Sequence, residues 1–560
     1  MEESKGIDKG WYLGLDFGTS NTYLVGYYSW GDKAAGKFYA TELMSEDLRS
    51  SDMGIPTAIT KEAKQYLIGQ QALEKFNENK ELKIFRELKI YARCLSPVGD
   101  SDSQQTETSK VQVGTEEISA KEALENFFKI LFEKANESIE KIPQNEQSGI
   151  LRPEKITYST IQNIVIGCPN SEGQEIDTGN VSSPTVHYTS VLQDALSSCF
   201  ITGLRLLNKR KRKDEMKQKI KVVPEAKLAG ITYLCSSKTE NDVALVVDCG
   251  GGTTDFALVQ WKESNEGVRK MESTFIGKGC DRAGNNIDEE IQKGFGKHVS
   301  QEGARVSKEF VFKSDSNHPR NESDLIGQHG QYSFSDNEIQ CSLSYVPTYG
   351  LLGKIGGGNR YKRINEESVY KSIVEALSNQ LRNWEKSRQP ESKQINTVFF
   401  VGGTSFIVPY MRKVCDFVRE KQEEGSKIFA EEVRVVTPDG GYPKIQKNHI
   451  EFMDNLYNDG KSGWGNASIR FNNTTYMLTC FNAIAIGACI EALGKEVVLY
   501  PKIEYLLDGT TWREIYSPEK DGVLTPLLDT EGFVSTGYDY KQIELFYEVQ
   551  IGRASCRERV

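Results

Sequence analysis

The pattern of apolar and polar residues predicts two strand–turn–strand units that lie far apart in the chain. The first extends from Trp11 to Tyr28, where the apolar runs WYLGLDFG and TYLVGYY flank a polar turn, TSN. The second begins near Val243, where LVVDC and TTDFALVQW flank three glycines. Because β-branched and aromatic residues favour extended backbone, we expect a strand rather than a helix after each turn.

Apolar residues spaced three to four apart predict two amphipathic helices. One extends from Ser119 to Ile139, and Ser119 with Glu122 forms the capping-box pattern of a helix start. The other extends from Ser368 to Trp384. The residues expected on the buried faces are Leu124, Phe127, Phe128, Leu131, Phe132 and Ala135 in the first helix and Val369, Ile373, Leu377 and Leu381 in the second.

Shorter patterns predict the remaining elements. Asn163 to Pro169 is expected to be a buried strand, and Thr397 to Gly403 a strand that leads into a helix around Tyr410 to Glu420. Beyond about Leu499 we expect β-structure, with turns at DGTT and DTEG. The polar segments predicted to be irregular are residues 99–115, 170–187 and 300–365.

The composition indicates a globular protein with several structural units. Of the 560 residues, 38% are hydrophobic and 26% are charged, and a chain of this length exceeds what one core usually holds. The net charge of -10 argues against nucleic acid as a general partner. The 11 cysteines include no CxxC pair, which fits reduced thiols in a cytoplasmic protein better than a disulfide framework or a zinc site.

Three segments could be taken for other signals. The apolar stretch from Tyr476 to Leu493 is short for a membrane span and contains Asn482 and Glu491, so we interpret it as a buried helix. The run KRKRK, Lys209 to Lys213, is also a pattern of nucleic-acid binding or nuclear import, but we interpret it as a solvated helix end. The first residues, MEESKGIDKG, lack the apolar region of a secretory signal, and no membrane insertion is expected.

The two predicted hairpins share the pattern apolar–apolar–Asp–x–Gly, at Asp16 to Gly18 and at Asp248 to Gly250. A repeated unit of this kind predicts a duplicated α/β domain whose two hairpin tips face each other across a cleft. A dinucleotide fingerprint or a P-loop does not fit, because a helix would have to follow the glycines and GxxxxGK[ST] is absent.

The residue types at the two tips suit a nucleoside triphosphate with a magnesium ion. Glycine allows backbone N–H groups to approach phosphate oxygens without a Cβ in the way. Asp16 and Asp248 would repel phosphate, but carboxylates are ligands that Mg²⁺ prefers. Further hydroxyl donors are Thr19, Ser20, Thr253 and Thr254.

With these motifs the sequence resembles the actin-like ATPase superfamily and, within it, the DnaK-like 70-kDa heat-shock chaperones, over about residues 11–495. Asp16–Asn21 is similar to the first phosphate loop of that family, and Asp248–Asp255 is similar to the second. Three further matches are the adenosine motif at Phe399–Pro409, the second connecting helix at Asn482–Ala488 and the loop near the nucleotide at Ala283–Asp288. Val222–Leu234 resembles the connecting motif that directs a glutamate, here Glu225, toward the magnesium-bound waters.

The resemblance implies an α/β fold of two ribonuclease H-like lobes around a nucleotide cleft. Lobe I is expected over residues 11–240 and lobe II over 241–498, with a mobile outer subdomain at about 285–367. Residues 499–560 are expected to form a β-rich C-terminal segment, too short for the complete substrate-binding domain of the chaperones. The Arg- and Cys-containing end, residues 551–560, changes abruptly in composition, and we interpret it as a truncation or a non-native scar.

The resemblance also implies the residues of an ATP- and ADP-binding site. The implied catalytic residues are Asp16, Lys89, Glu225, Asp248 and Thr253, with Lys83 as the alternative lysine. Asp16, Glu225 and Asp248 would hold Mg²⁺ largely through water, while Asp255 is expected to fix the hairpin. The implied nucleotide contacts are Gly18, Thr19, Ser20, Asn21, Gly250, Gly251, Gly252, Thr253, Gly284, Gly402, Gly403, Thr404 and Phe406.

The chain departs from the family pattern where the purine is expected. Phe406 stands in place of an arginine of the adenosine motif, and its ring could stack on the base instead. Phe481 replaces the acidic residue expected one helical turn before Gly487. Residues 290–325 contain no clear Glu…Lys-Arg helix. These departures leave the purine contacts and the selectivity for adenine open.

The function implied by the resemblance is a slow ATPase that switches lobe conformation, with client polypeptides and exchange factors as partners. A sugar or carboxylate kinase of the same superfamily is an alternative, although its second phosphate loop usually lacks the full GGGTTD. An actin- or MreB-like filament-forming ATPase is another alternative. Filament formers share this loop, and only the extra length and the C-terminal β segment count against them.

Overall fold

The computed structural model contains two large β-sheets, each built around one of the two predicted hairpins. Both hairpins lie within the described part of the chain. The structure describes residues 8–31, 37–39, 43–49, 54–79, 81–86, 88–94, 110–143, 151–170, 184–201, 206–236, 243–263, 269–276, 279–313, 329–336, 339–346, 350–356, 361–387, 393–437, 440–446, 449–451, 468–471, 474–477, 481–493, 498–499, 502–507 and 511–516.

The first sheet is centred on the antiparallel hairpin of β1 (Gly10–Phe17) and β2 (Asn21–Ser29). Its other strands are β3 (Lys37–Tyr39), β4 (Ile55–Pro56), β9 (Ile161–Cys168) and β10 (Ile220–Pro224). The strand order is β10-β9-β1-β2-β3, and β4 pairs with β2. Strands β9 and β10 run parallel to β1, so the hairpin has two parallel strands beside its first strand.

The second sheet repeats this arrangement around β11 (Val243–Cys249) and β12 (Thr254–Glu263). Its strand order is β21-β20-β19-β18-β11-β12-β13-β24, and β18 and β19 run parallel to β11. The repeat that the sequence pattern predicts is therefore present in the topology. The remaining strands are β13 (Arg269–Ile276), β18 (Ile395–Val401), β19 (Phe429–Thr437), β20 (Gly440–Gln446), β21 (His449–Glu451) and β24 (Val498–Leu499).

Two helices, α6 (Glu225–Ser236) and α11 (Ala483–Ala492), pack between the sheets at backbone contact. A Cβ atom at Gly14 of β1 would overlap the carbonyl oxygen of Ala485 on α11. A Cβ at Gly487 of α11 would overlap the carbonyl oxygen of Leu228 on α6, and one at Gly230 would overlap Val259 of β12. We call Gly14, Gly487 and Gly230 the glycine ladder, because together they set the spacing of the layers β1, α11, α6 and β12.

The first sheet also carries the predicted helix α3 (Ala120–Lys141), where the Ser119 hydroxyl accepts a hydrogen bond from the backbone N–H of Glu122 at 3.1 Å. Its predicted apolar face is buried, so this helix is confirmed. The neighbouring helices are α1 (Gly69–Glu78), α2 (Leu88–Cys94), α4 (Pro184–Cys199) and α5 (Leu206–Gln218). Two small hairpins join β5 (Ile59–Glu62) to β6 (Gln65–Ile68) and β7 (Lys110–Val113) to β8 (Glu116–Ser119).

The interpretation of Lys209–Lys213 as a helix end is wrong, because these residues lie inside α5. Their helix is held by Asp194 of α4, which forms ion pairs with Lys213 at 3.1 Å and with Lys217 at 2.5 Å. Arg210 and Lys211 are exposed, as expected of a solvated charge run. Helix α4 begins at Pro184, so the last residues of the predicted irregular segment 170–187 are helical. Residues 171–183 lie outside the described residues.

The prediction of irregular structure over residues 300–365 is wrong. This part contains α8 (Gln301–Lys313) and a separate sheet of four antiparallel strands. In β15 the buried residues Cys341, Leu343 and Tyr345 alternate with serines, of which Ser342 is also buried, so a polar composition conceals a buried strand. With α7 (Gly284–Phe295), these elements form an outer unit close to the expected residues 285–367. Its strands are β14 (His329–Asp336), β15 (Ile339–Val346), β16 (Gly350–Ile355) and β17 (Lys362–Arg363).

The second half of the chain confirms the predicted helices α9 (Glu367–Ser387) and α10 (Val408–Glu423). The apolar stretch Tyr476–Leu493 is buried as predicted over α11, but its first residues belong to a strand. No helix in the described part of the chain is long and apolar enough to cross a membrane. The other strands are β22 (Ser468–Phe471), β23 (Thr474–Met477), β25 (Lys502–Leu507) and β26 (Thr511–Tyr516).

The C-terminal expectation is tested only in part. Strands β25 and β26 pair antiparallel. Residues 508–510 of the predicted DGTT turn lie outside the described residues. The sequence DTEG and residues 551–560 lie outside the described residues. Of the polar segment 99–115, the described end contributes to β7.

Replacing Gly487 with alanine tests the glycine ladder. In a helix interior alanine normally stabilises by about 1 kcal/mol relative to glycine. Here we expect the substitution to lower the free energy of unfolding by about 1–3 kcal/mol, because the added Cβ overlaps the carbonyl oxygen of Leu228. The measurement is the thermal midpoint of the purified full chain.

The control variant is Gly296→Ala. It adds a Cβ where no atom lies within 4 Å, at a backbone φ of +65° and ψ of −146°, so its loss of stability, about 1–3 kcal/mol, comes from backbone strain and not from atomic overlap. A Gly487→Ala protein as stable as the wild type would show that α6 and α11 are not in backbone contact.

Candidate functional site

The tips of the two central hairpins touch each other. We call Gly18–Ser20 the first tip and Gly250–Gly252 the second tip. A Cβ at Gly251 would lie 2.6 Å from the Ser20 hydroxyl oxygen, and one at Gly252 would lie 2.8 Å from the Thr19 hydroxyl oxygen. The glycines of the second tip are therefore required for close contact, because the hydroxyl side chains of the first tip occupy the space of their missing side chains.

Hydrogen bonds from two neighbouring segments fix the second tip. The Gly250 carbonyl oxygen accepts from the Thr404 hydroxyl at 2.6 Å and from the Gly284 N–H at 3.1 Å. The Gly251 carbonyl oxygen accepts from the N–H of Asn285 at 2.7 Å. Unpaired carbonyl oxygens would repel an anion. At the second tip these oxygens accept hydrogen bonds from the start of α7 and from Thr404.

Four carboxylates and one ammonium group lie beside the tips. Carboxylate oxygens of Glu225, Asp248 and Asp255 lie within 4.8 Å of one another, and all three residues are at most 5% exposed. The Lys89 ammonium, also buried, donates to a Glu225 carboxylate oxygen at 2.6 Å. Asp16 lines one cavity together with Lys89, Glu225 and Asp248. Glu225 and Asp248 are brought together because Glu225 is the first residue of α6 and Asp248 lies near the end of β11.

The surroundings make ionisation of these carboxyl groups costly. Burial, together with the Glu225 carboxylate, raises the pKa of Asp16 to about 8 and that of Asp255 to about 7. Burial, Glu225 and Asp255 raise the pKa of Asp248 well above its usual range. Burial lowers the pKa of Lys89, but the Glu225 and Asp16 carboxylates outweigh it, so the pKa is raised overall. One ammonium group does not balance four ionised carboxyl groups, so these residues could also hold a cation.

The donor set fits Mg²⁺, which prefers carboxylate and water oxygens. The sequence predicts Asp16, Glu225 and Asp248 around the ion, whereas the close triad contains Asp255 in place of Asp16. Asp255 also fixes the hairpin as expected, since it accepts hydrogen bonds from the Thr253 hydroxyl at 3.0 Å and from the Asn170 N–H at 2.9 Å.

One cavity brings together nearly all of the predicted site residues. Lys89 lines it, whereas Lys83 is exposed and pairs through its backbone with Gly114, so the geometry favours Lys89. The side chain of Phe406 lies outside what the structure describes. The predicted residues that line the cavity are Asp16, Gly18, Thr19, Ser20, Asn21, Lys89, Glu225, Asp248, Gly250, Gly251, Gly252, Thr253, Gly284, Gly402, Gly403 and Thr404.

The sequence analysis missed the contribution of α8. Its residues Lys308, Glu309 and Phe312 line the cavity, as do Ile407 and Phe481. Lys308 donates to the Gly284 carbonyl oxygen at 2.9 Å and forms an ion pair with Asp288 at 2.7 Å. A helical spacing of the buried residues, Ala304, Ser307, Lys308 and Val311, is the signal that could have revealed this helix.

Comparisons with known proteins give no family assignment. The sequence matches no protein-family model, and no curated protein matches it significantly. The functional argument therefore depends on the residues and geometry of the cavity.

The raised carboxyl pKa values predict a pH dependence of stability in the protein without added metal or nucleotide. The folded state keeps protons on these groups that the unfolded chain, with an ordinary Asp pKa near 4, releases. The free energy of unfolding should therefore fall as the pH rises from about 4 to 8. Asp16→Asn should reduce this fall, as measured by the thermal midpoint between pH 5 and pH 8.5.

The matched control is Asp214→Asn on the exposed side of α5, which should leave the slope unchanged. Equal slopes for Asp16→Asn and the wild type would contradict the description of Asp16 as a carboxyl group that is costly to ionise.

Proposed function

We propose that the protein is a magnesium-dependent ATPase of the chaperone-like kind, in which the bound nucleotide sets the position of the two lobes. The contact between the first tip and the second tip, beside Lys89 and the carboxylate cluster, carries this proposal. Backbone N–H groups of glycines and hydroxyl groups are the donors that suit a chain of phosphates. Carboxylates alone would repel such a chain, so their presence supports a nucleotide bound together with a cation.

The tips would bind the phosphates, and Lys89 would act on the terminal one. Thr19 and Ser20 would supply hydroxyl donors on one side of the phosphates, and Gly251 and Gly252 would supply N–H groups on the other. The Gly250 N–H already donates to the Thr253 carbonyl oxygen at 3.0 Å. The pair with Glu225 holds the Lys89 ammonium at the centre of the site, where it can neutralise charge that develops on the terminal phosphoryl group. Such fixed charges are most effective in a site that excludes water.

A bound Mg²⁺ would neutralise phosphate charge, with Asp16, Glu225, Asp248 and Asp255 holding it largely through water. Asp248 would also orient the attacking water, because its buried carboxylate can accept a hydrogen bond from it. Thr253 offers a hydroxyl group for the same water. Water as the acceptor makes the reaction a hydrolysis, which yields ADP and inorganic phosphate.

The apolar residues that line the cavity suit the purine. They are Phe312, Ile407 and Phe481, and aromatic rings stack on a base. Gly403 leaves room beside Phe481, since a Cβ there would lie 3.3 Å from its ring. Stacking by Phe406 remains a prediction from the sequence.

The size of the cavity supports a movement of the lobes. It encloses about 110 Å³, less than the roughly 300–1,000 Å³ of most ligand pockets. ATP would therefore enter only after the lobes separate, and closing around it would couple the nucleotide to lobe position. Client polypeptides and exchange factors are the proposed partners that respond to this position.

Asp248→Asn tests the assignment of the site. We expect Mg²⁺-dependent ATP turnover to fall by roughly 100-fold or more, because the variant loses a charged group that acts on both the cation and the water. The measurement is steady-state phosphate production, and MgATP should also raise the thermal midpoint of the wild type. Asp214→Asn is the control with the same chemical change on an exposed helix face. Unchanged turnover in Asp248→Asn would rule out this site.

The alternatives give different results in parallel assays. Phosphoryl transfer to sugars or carboxylates that exceeds hydrolysis would favour the kinase. ATP-dependent sedimentation of the purified chain would favour the filament former.

A further inference from the structure

Asp248 and Asp255 lie directly opposite each other on β11 and β12. Opposite residues of an antiparallel pair have their side chains on the same face of the sheet, and two like charges there repel each other. Asp255 nevertheless lies close to Asp248 and Glu225, so other groups hold it there. We call Glu225, Asp248 and Asp255 the carboxylate triad.

Asn170 holds Asp255 from the first sheet. It lies just beyond the end of β9 and is fully buried. Its backbone N–H donates to Asp255 Oδ1 at 2.9 Å, and its side-chain amide nitrogen donates to the carbonyl oxygen of Phe256 at 2.7 Å. One residue of the first sheet therefore holds two consecutive residues of β12, which belongs to the second sheet.

Two further neighbours fix the Asp255 carboxylate. The Thr253 hydroxyl donates to Oδ2 at 3.0 Å, so both carboxylate oxygens accept hydrogen bonds. Gly279 lies against Oδ1, where the Cβ of any other residue would overlap that oxygen. Thr253 comes from the same hairpin as Asp255, whereas Asn170 comes from the other sheet. Of these contacts, the one with Asn170 therefore relates Asp255 to the first sheet.

The same edge of the first sheet also positions Glu225. Strands β9 and β10 are parallel neighbours whose last residues pair with each other. Asn170 follows β9, and Glu225 follows β10 directly. The first sheet thus delivers a carboxylate and a donor from adjacent strand ends, while the second sheet delivers Asp248 and Asp255 from adjacent strands. The contact of Asn170 with β12 sets how these two pairs meet.

We propose that Asn170 is a positioning residue of the cation site: it holds Asp255 within the carboxylate triad, so that the three carboxylates bind one divalent cation together. The proposal rests on the proposed function for the presence of Mg²⁺ in the site. Asn170 acts through Asp255 and not on the cation itself, because its side-chain amide already donates to the Phe256 carbonyl oxygen. Groups that orient metal ligands in this way contribute strongly to metal affinity.

Asn170→Ala tests this role through the binding of a metal alone. The variant loses the amide that holds β12, so Asp255 should no longer be fixed beside Asp248. The probe is Mn²⁺, which takes the same oxygen ligands as Mg²⁺, and the electron paramagnetic resonance signal of the free ion is followed in the nucleotide-free full chain. We expect the wild type to bind one Mn²⁺, and the Kd of Asn170→Ala to be higher by about tenfold or more.

Asn136→Ala is the matched control. The Asn136 side-chain amide also donates to a backbone carbonyl oxygen, that of Ile156, at 3.0 Å, but Asn136 does not line the cavity. This variant should have a lower thermal midpoint and an unchanged Kd for Mn²⁺. If Asn170→Ala does not fold, Asn170→Ser loses the same amide but fills part of its space, and the same result is expected. An unchanged Kd in a folded Asn170 variant would overturn the proposal.

A double-mutant cycle separates positioning from a merely structural role. If Asn170 acts through Asp255, the variant with both Asn170→Ala and Asp255→Asn should bind Mn²⁺ no more weakly than Asp255→Asn alone. Additive losses would show that Asn170 acts elsewhere, and the proposal would fail. No Mn²⁺ binding to the wild type would also overturn it, and MgATP turnover in the same preparation would show whether the proposed ATPase function fails with it.

Discussion

The close packing of α11 and α6 between the two sheets is the constraint on which the site depends. Gly14 and Gly487 allow backbone contact among β1, α11 and α6, and Gly230 leaves room for the Val259 side chain of β12 against α6. This spacing determines how near the two hairpins come, and hence whether Thr19 reaches Gly252. It also positions Glu225, the first residue of α6, against β9, where Gly167 leaves room for its side chain. A change of layer spacing would therefore alter both the tips and the carboxylates.

The site stores an electrostatic cost that a bound cation would relieve. Asp248 and Asp255 share a buried space with Glu225, which pairs with Lys89, and the half-buried Asp16 lines the same cavity. A fold selected for stability alone would favour fewer buried carboxyl groups, because each must stay protonated or be paired. The cost is consistent with a centre that is completed by a cation, and it links the stability of the chain to what is bound there.

Local patterns in the sequence predict the hairpins, α3 and α9 because alternation and helical spacing depend on one face being buried. They fail for β15, where serines between Cys341 and Tyr345 give a polar average despite a buried face. They also fail for Lys308 and for the place of Asp255 in the triad, because tertiary contacts bury these charged groups. The sequence leaves Lys83 and Lys89 as alternatives, and only the packing of α2 directs Lys89 inward.

The two halves of the topology are alike, yet their tips are not interchangeable. One tip carries hydroxyl side chains and the other has only glycines, and each fills the space that the other leaves. Two glycine tips would leave a gap, and two hydroxyl-bearing tips would collide. The two hairpins are thus chemically different at the point where they meet. A ligand that separated the tips would contact hydroxyl groups on one side and bare backbone on the other.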